Sequence, residues 1–365
     1  MTSSMVFLKL NAANVAQKRI YVLLTLSLAI GLVFCSVEAF LLHFGNTKNR
    51  EVAETMLTAS RIMAEAINEL KRCRLKTRGF FCPEDLNETG LIGLDYSPMT
   101  TTLGNLEAKR TATNPNFAGL ITLLLYEAGV KRGDVIAIGA SSSFPALTVA
   151  TLAAAKAMGV TPLLICSLGS SQWGANDPLF TWLEMEDCLV QSGILPYQAI
   201  AVSLGGDEDK GLEFEPSVRD ALRSRVSKSG KRFIEAPDLV SNVSQRVSLY
   251  RQAADGKKIA AFVNIGGAWA NIGTDPTILR LKPGLNKTVP LPPVDRRGVL
   301  FEMAEKGVPI IHLLNIKELA IKYGLPWDPY PLPSPGEGLI YYQRTFIGLR
   351  RALAALGLVF MSLPF

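Results

Sequence analysis

Short apolar runs alternate with helical segments from Asp134 onward. Five short apolar runs have the pattern of buried strands: VIAIGA from Val135, TPLLICSLG from Thr161, AIAVSLGG from Ala199, KKIAAFVNIGG from Lys257 and VPIIHLL from Val308. Helices are expected over 144–158, 178–192 and 316–323. Continuous apolar strands separated by helices are typical of a parallel sheet whose two faces are both covered. The sequence therefore predicts an α/β fold, a doubly wound and mostly parallel sheet with helices on both faces.

The N-terminal region carries an uncharged run long enough to cross a bilayer. Eighteen residues from Ile20 to Val37 contain no charge, which is the minimum length for a transmembrane helix. Lys9, Lys18 and Arg19 precede the run, and basic residues favour the cytoplasmic side. We therefore expect a membrane anchor with a cytoplasmic N-terminus. A cleaved signal peptide is the alternative, although no small-residue cleavage site follows the run.

The C-terminus is apolar as well, from Ala352 to Phe365. As a helix these fourteen residues would cover about 21 Å, less than the roughly 30 Å of a hydrocarbon core. The segment is expected to dip into the membrane, or to pack as a buried or partner-docking helix. The predicted organisation has four parts: a cytoplasmic N-terminus (1–19), a transmembrane anchor (20–42), an extracytoplasmic α/β domain (45–340) that opens with a stalk helix (50–72), and an apolar C-terminal helix (341–365).

Two local patterns precede the first strand. Apolar residues recur at helical spacing between Val52 and Leu70, which predicts the stalk helix. Asn114 followed by Pro115 is typical of an N-cap with proline at the first helical position, and predicts a helix through 119–128.

The cysteines, histidines and charges narrow the class of protein. Cys73 and Cys82 lie nine apart in a polar stretch, so a disulfide between them is plausible outside the cytoplasm, whereas Cys35, Cys166 and Cys188 have the context of small hydrophobic residues. With two histidines and no metal or nucleotide motif, neither a metal site nor a cofactor is expected. The formal net charge of +6 suits an anionic partner. The sequence has no basic run interleaved with aromatic residues, so it gives no indication of nucleic-acid binding.

Three strand exits share a composition of glycine, serine, asparagine and tryptophan, at 139–143, 169–177 and 264–275. Because parallel strands end at the same edge of a sheet, we expect these loops to form one pocket. Its expected lining is Gly139, Ser141, Ser142, Ser143, Ser170, Trp173, Asn176, Asn264, Gly266, Trp269 and Asn271. The alternative is that glycine and serine here serve only turns and helix caps. The acidic loop 205–211 is expected to be a solvated turn.

The serines after the first strand can act in two ways. As an anion cradle, Ser141, Ser142 and Ser143 would bind a carboxylate or phosphate at a helix N-terminus, with Lys109 and Arg110 adding charge. As a nucleophile, one of them would need a base, either Lys109 or His312. The spacing is not that of a Gly-x-Ser-x-Gly elbow, and His312 lies inside an apolar strand. The cradle is therefore the preferred interpretation.

Four segments carry a resemblance to a known family: SPMTTTLGNLEAKRTATNPNFAGL, GDVIAIGASSSFPAL, SLGSSQWGANDPLFTWLEME and FVNIGGAWANIGTD. Over roughly residues 90–280 the chain resembles the bacterial membrane proteins called poly-gamma-glutamate system proteins. The resemblance implies a part in making, exporting or handling a poly-γ-glutamate capsule, beside other membrane subunits of the synthase system. It carries no catalytic residue, and a polymer with one carboxylate per unit agrees with an anion cradle.

The leading hypothesis is a membrane-anchored accessory protein that binds γ-glutamyl polymer, or a related carboxylate, in the strand-end pocket. One alternative is a serine-based γ-glutamyl hydrolase or transferase, and another is a scaffold for the membrane synthase complex.

Overall fold

Six strands form one sheet in the computed structural model, which describes residues 47–341. They are β1 (Val135–Ser141), β2 (Thr161–Ser167), β3 (Ala201–Ser203), β4 (Ile259–Ile265), β5 (Gly284–Asn286) and β6 (Ile310–Leu313). The order across the sheet is β3-β2-β1-β4-β6-β5, and every pair is parallel except β5 with β6. The predicted α/β class is confirmed, with a mixed six-stranded sheet. Strand β5 was missed, since its segment has the composition of a proline-rich loop.

Ten helices occur between residues 47 and 341: α1 (Thr47–Arg78), α2 (Leu106–Ala112), α3 (Asn116–Ala128), α4 (Pro145–Met158), α5 (Trp182–Gln191), α6 (Pro216–Ser229), α7 (Leu239–Ala253), α8 (Trp269–Ile272), α9 (Val299–Glu305) and α10 (Ile316–Tyr323). Within this range, none of the helices combines the length and apolarity that a bilayer crossing requires. The predicted anchor (20–42) and the apolar segment from Ala352 lie outside the described residues. From Val52 onward the described chain belongs to one compact unit.

Strand β1 is buried along its whole length, because its side chains alternate between two cores. Ile136 and Ile138 belong to a cluster that includes Leu120 of α3 and Leu147 of α4. Ala137, on the opposite face, belongs to a second cluster with residues of α7 and α9. Burial on both faces is why the strands are continuously apolar rather than alternating.

The winding of the chain determines where a ligand can bind. From β1 the chain moves through α4 and β2 to β3, and later returns to place β4 on the other side of β1. Gly139 of β1 lies opposite Asn264 of β4. The connections after β1 and β4 therefore leave in opposite directions, which opens a crevice at their carboxyl ends.

The beginning of α3 differs slightly from the prediction. Pro115 is the N-cap, and the Asn114 side chain accepts a hydrogen bond from the N–H of Asn116 at 3.0 Å. Asn114 thus caps the helix from the position before the N-cap, whereas it was expected to be the N-cap itself.

The disulfide joins Cys73 of α1 to Cys188 of α5, with a Cα–Cα distance of 6.5 Å. The expected partner, Cys82, is a buried free thiol, and its sulfur accepts a hydrogen bond from Arg74 at 3.1 Å. The expectation of a Cys73–Cys82 bond is wrong, and so is the interpretation of Cys188 as a small hydrophobic residue. The cause is tertiary: packing brings α5 against α1, which the spacing of cysteines does not reveal.

Candidate functional site

A cavity of about 260 Å³ lies beyond the carboxyl ends of β1, β2 and β4. Its wall includes the exits of these strands, the loop 101–105, the acidic loop 205–211 at Gly206 and Asp207, and Glu213. We call it the strand-end cavity. Its position at the crevice between β1 and β4 is where doubly wound sheets bind ligands.

A buried lysine is the central charged group of the strand-end cavity. Lys109 lies in the short helix α2, whose N-cap Asn105 accepts the N–H of Ala108 at 2.7 Å. Its Nζ donates to the backbone carbonyl of Ser143 and to Ser171 Oγ, the latter at 2.7 Å. The same amine lies 4.0 Å from the centroid of the Phe144 ring.

Burial changes the protonation of this amine. The side chain is 3% exposed, and its removal from water lowers the pKa of Lys109 to about 7. Near neutral pH the amine therefore exchanges readily between its charged and neutral forms. Such a group can attract an anion when charged or accept a proton when neutral.

Two neighbouring hydroxyls in the cavity wall have no partner within the described part of the chain. Ser141 and Ser167 lie opposite each other in β1 and β2, both are buried, and neither Oγ makes a hydrogen bond there. Gly266 passes beside Ser141 with φ 79°, and a Cβ at this position would overlap the Ser141 hydroxyl. Buried hydroxyls are normally satisfied, so this pair leaves two hydroxyls beside the cavity that no described residue satisfies.

Carboxylates lie on another part of the wall. Glu213 Oε1 accepts the N–H of Asp207 at 2.9 Å, and both residues line the cavity. Partial burial raises the pKa of Glu213. The cavity thus contains both a basic and an acidic group.

A buried ion pair between Arg246 and Asp209 anchors the acidic loop 205–211 to the core. Arg246 Nη2 donates to Asp209 Oδ2 and to Ser203 Oγ, each at 2.6 Å, and Asn242 donates to Asp209 at 2.9 Å. Both members of the ion pair are 1% exposed. The interpretation of loop 205–211 as a solvated turn is therefore wrong for Asp209, which anchors the loop to the core.

Four of the residues predicted from the sequence meet in the cavity wall: Lys109, Ser141, Ser143 and Trp269. Ser143 Oγ accepts the N–H of Ser171 at 3.0 Å, which joins the first two strand exits. Trp269 is 41% exposed and forms an apolar edge of the cavity.

Other predicted residues hold the loops instead of lining the cavity. Ser142 Oγ donates to the carbonyl of Ser167 at 2.7 Å, and Ser170 Oγ donates to the carbonyl of Ser171 at 2.8 Å. Asn176 Oδ1 accepts the backbone N–H of Leu94, and Asn176 Nδ2 donates to the carbonyl of Leu94.

Two further predicted residues point to separate contacts. Trp173 adopts a left-handed backbone with φ 56°, and its backbone N–H donates to the carbonyl of Leu94 at 2.8 Å. Arg110 makes two hydrogen bonds to Asp328, at 2.5 and 2.6 Å. The guanidinium predicted to add charge to the pocket is therefore engaged in an ion pair outside the cavity wall.

The remaining predicted residues lie beneath the cavity. A Cβ on Gly139 would be 2.7 Å from Asn271 Oδ1, so glycine allows this close packing. Asn264 Nδ2 lies 3.0 Å from His312 Nδ1, and burial lowers the pKa of His312 to about 4. His312 is thus a neutral core side chain, and it is not part of the cavity wall that contains the serines.

Several polar residues of the wall are absent from the lining expected from the sequence, among them Ser167, Ser171 and Glu213. Ser167 ends an apolar strand and has the sequence context of a core residue. Ser171 lies beside Ser170 in the loop 169–177, and Glu213 belongs to no motif. The available signal for the two serines was their position at a strand exit.

Comparisons of the chain with protein-family models, with curated proteins and with solved structures find no match.

Proposed function

We propose that the protein is a membrane-anchored accessory protein of poly-γ-glutamate synthesis or export, and that its strand-end cavity binds γ-glutamyl chain through a carboxylate. The observation that supports this most is the combination in one wall of the buried Lys109 amine with the unpartnered hydroxyls of Ser141 and Ser167. A carboxylate needs a cation and hydrogen-bond donors, and these three groups provide both.

The charge state of Lys109 favours binding of an anionic ligand in the cavity. In the free protein, desolvation holds the Lys109 amine partly neutral. A bound carboxylate stabilises the ammonium form, because opposite charges attract strongly where water is excluded. The start of α4, which follows Ser143 and Phe144 in the wall, adds a further favourable dipole for an anion.

The disulfide supports an extracytoplasmic domain. Structural disulfides persist in oxidising compartments and are rare in the cytosol, and Cys73–Cys188 links two helices of the domain. In this proposal the anchor over 20–42 spans the cell membrane with the N-terminus in the cytoplasm. The domain then meets the polymer, and other membrane subunits of the synthase system, on the outer side.

Replacing Lys109 with methionine is expected to weaken binding of poly-γ-glutamate at least about tenfold, since an attraction to a charge in a dry site is lost. Binding is measured by calorimetry with the full chain in detergent micelles. Lys228→Met, which removes an exposed lysine of α6, serves as control and should bind like the parent. Equal affinity of the Lys109→Met variant and the parent would exclude this cavity as the carboxylate site.

A second function is favoured by the 2.7 Å contact between Lys109 Nζ and Ser171 Oγ. Neutral Lys109 would accept the Ser171 proton as the hydroxyl oxygen attacks a γ-glutamyl amide carbonyl. The amide C–N bond would break, the leaving amine would take the proton, and water or another amine would then release the chain from the serine ester. This is the hydrolase or transferase alternative, with Ser171 in the position first assigned to Ser141, Ser142 or Ser143.

The pH dependence separates the two functions. Binding needs the charged amine, so affinity is expected to fall by up to about tenfold per pH unit as the pH rises above about 7. Hydrolysis needs the neutral amine, so its rate should rise over the same interval. Gel filtration measures polymer length and calorimetry measures affinity, each from pH 5.5 to 8.5. This interval of ~3 pH units brackets the pKa of Lys109. Chain shortening that is lost in Ser171→Ala would establish the enzyme.

A further inference from the structure

The strand-end cavity carries opposite charges on its wall, and this restricts the ligand. Lys109 lies on one part of the wall, and Asp207 with Glu213 on another. Two carboxylates repel a polyanion, so a site for an interior stretch of poly-γ-glutamate gains nothing from them. Their presence indicates a ligand that brings a cation together with its carboxylate.

Both acidic residues are exposed to solvent. Within residues 47–341, no salt bridge of Asp207 or Glu213 occurs, whereas the nearby acids Glu208 and Asp209 are paired with Lys210 and Arg246. Glu213 uses Oε1 to accept the Asp207 N–H, which leaves Oε2 available to a ligand. Partial desolvation raises the pKa of Glu213 even though the residue is exposed, and an incoming ammonium would stabilise its ionised form.

The chemistry of the polymer identifies which unit carries that cation. In a γ-linked chain every unit keeps its α-carboxylate, but the α-nitrogen of each interior unit is an uncharged amide. An α-ammonium remains only on the unit at the amino end. We propose that the strand-end cavity recognises this terminal unit, with its α-carboxylate at Lys109 and its α-ammonium at Glu213 and Asp207. The inference rests on the proposed function and adds which part of the chain is bound.

The size of the cavity agrees with a single unit. About 260 Å³ is slightly below the roughly 300–1,000 Å³ of ordinary small-molecule sites. It cannot enclose several units, so the rest of the chain would leave across the exposed edge formed by Leu103 and Trp269.

The test compares three probes with the full chain in detergent micelles: a γ-glutamyl trimer with a free amino end, the same trimer N-acetylated, and free glutamate. We expect the free trimer to bind at least about tenfold more tightly than the acetylated one, the scale of one charge-assisted hydrogen bond. Glu213→Gln should reduce this preference to below about threefold. Glutamine keeps an oxygen for the Asp207 N–H, so the loop is retained. Glu215→Gln, an exposed change two residues away, is the matched control and should keep the full preference.

Each result decides a different point. Equal affinity for both trimers, or a preference that survives in Glu213→Gln, would overturn the chain-end assignment while the proposed function stands. Free glutamate binding as tightly as the free trimer would assign the cavity to the amino acid rather than to the chain end. No binding of either trimer or of the polymer would overturn the proposed function itself.

Discussion

Replacing Arg246 with methionine is expected to lower the free energy of unfolding by about 3–5 kcal/mol. The change leaves Asp209 as a buried charge without its partner, since both side chains are 1% exposed. It also removes a hydrogen bond to Ser203. The loss of stability arises mainly from the unpaired Asp209 carboxylate. A buried ion pair itself adds little to stability once the desolvation penalties of both charges are counted. Chemical denaturation followed by tryptophan fluorescence measures the change.

Two further variants separate this explanation from a general loss of packing. Arg246→Met combined with Asp209→Asn removes both charges and keeps a residue that tolerates the left-handed backbone of position 209 (φ 64°), so it should recover part of the lost stability. Arg223→Met breaks the exposed pair with Glu235, and is expected to cost less than about 1 kcal/mol. A double variant no more stable than Arg246→Met would contradict the unpaired-charge explanation. Because Asp209 anchors the loop that contains Asp207, the Arg246→Met variant should also lose part of its preference for an amino-terminal ligand.

Reduction of the Cys73–Cys188 bond is expected to cost about 2–5 kcal/mol of stability. The bond joins residues 115 apart in sequence, and loops of this length restrict the unfolded chain strongly, by about 4.7 kcal/mol for 100 residues in the chain-entropy model. Thermal unfolding with and without dithiothreitol measures the effect. The double variant Cys73→Ser/Cys188→Ser should match the reduced parent.

The control for this prediction is Cys82→Ser, which alters a buried free thiol but leaves the disulfide intact. It should still lose stability when reductant is added. Among the four cysteines of the described residues, alkylation of the denatured, unreduced chain should label Cys82 and Cys166 but neither Cys73 nor Cys188. An unfolding midpoint that reductant does not change would show that the bond does not form.

The fold could be predicted where the pattern was local and continuous. Five strands were predicted because burial on both faces makes each an unbroken aliphatic run, as in β1. Helix α10 was predicted at its observed bounds, and the structure shows Asn315 and Gly324 capping its two ends. Strand β5 has three residues and no aliphatic run, and its place is determined only by pairing with β6.

The site was less predictable because side-chain direction depends on tertiary structure. Composition indicated that three strand exits meet, but of two adjacent serines only Ser171 faces the cavity while Ser170 bonds to the neighbouring carbonyl. Lys109 reaches Ser171 because α2 packs across the exits of β1 and β2, and no pattern in the sequence encodes that packing. Glu213 is brought to the wall by the same long-range folding.

The two edges of the sheet limit how the protein can assemble. Each edge is a strand of only three residues, β3 on one side and β5 on the other. Edge strands this short offer few free backbone groups for a further strand, which is one way that proteins avoid edge-to-edge aggregation. Within the described residues, copies of this domain therefore have little sheet edge to extend. A high local concentration of the protein would then not promote β-type aggregation through this sheet.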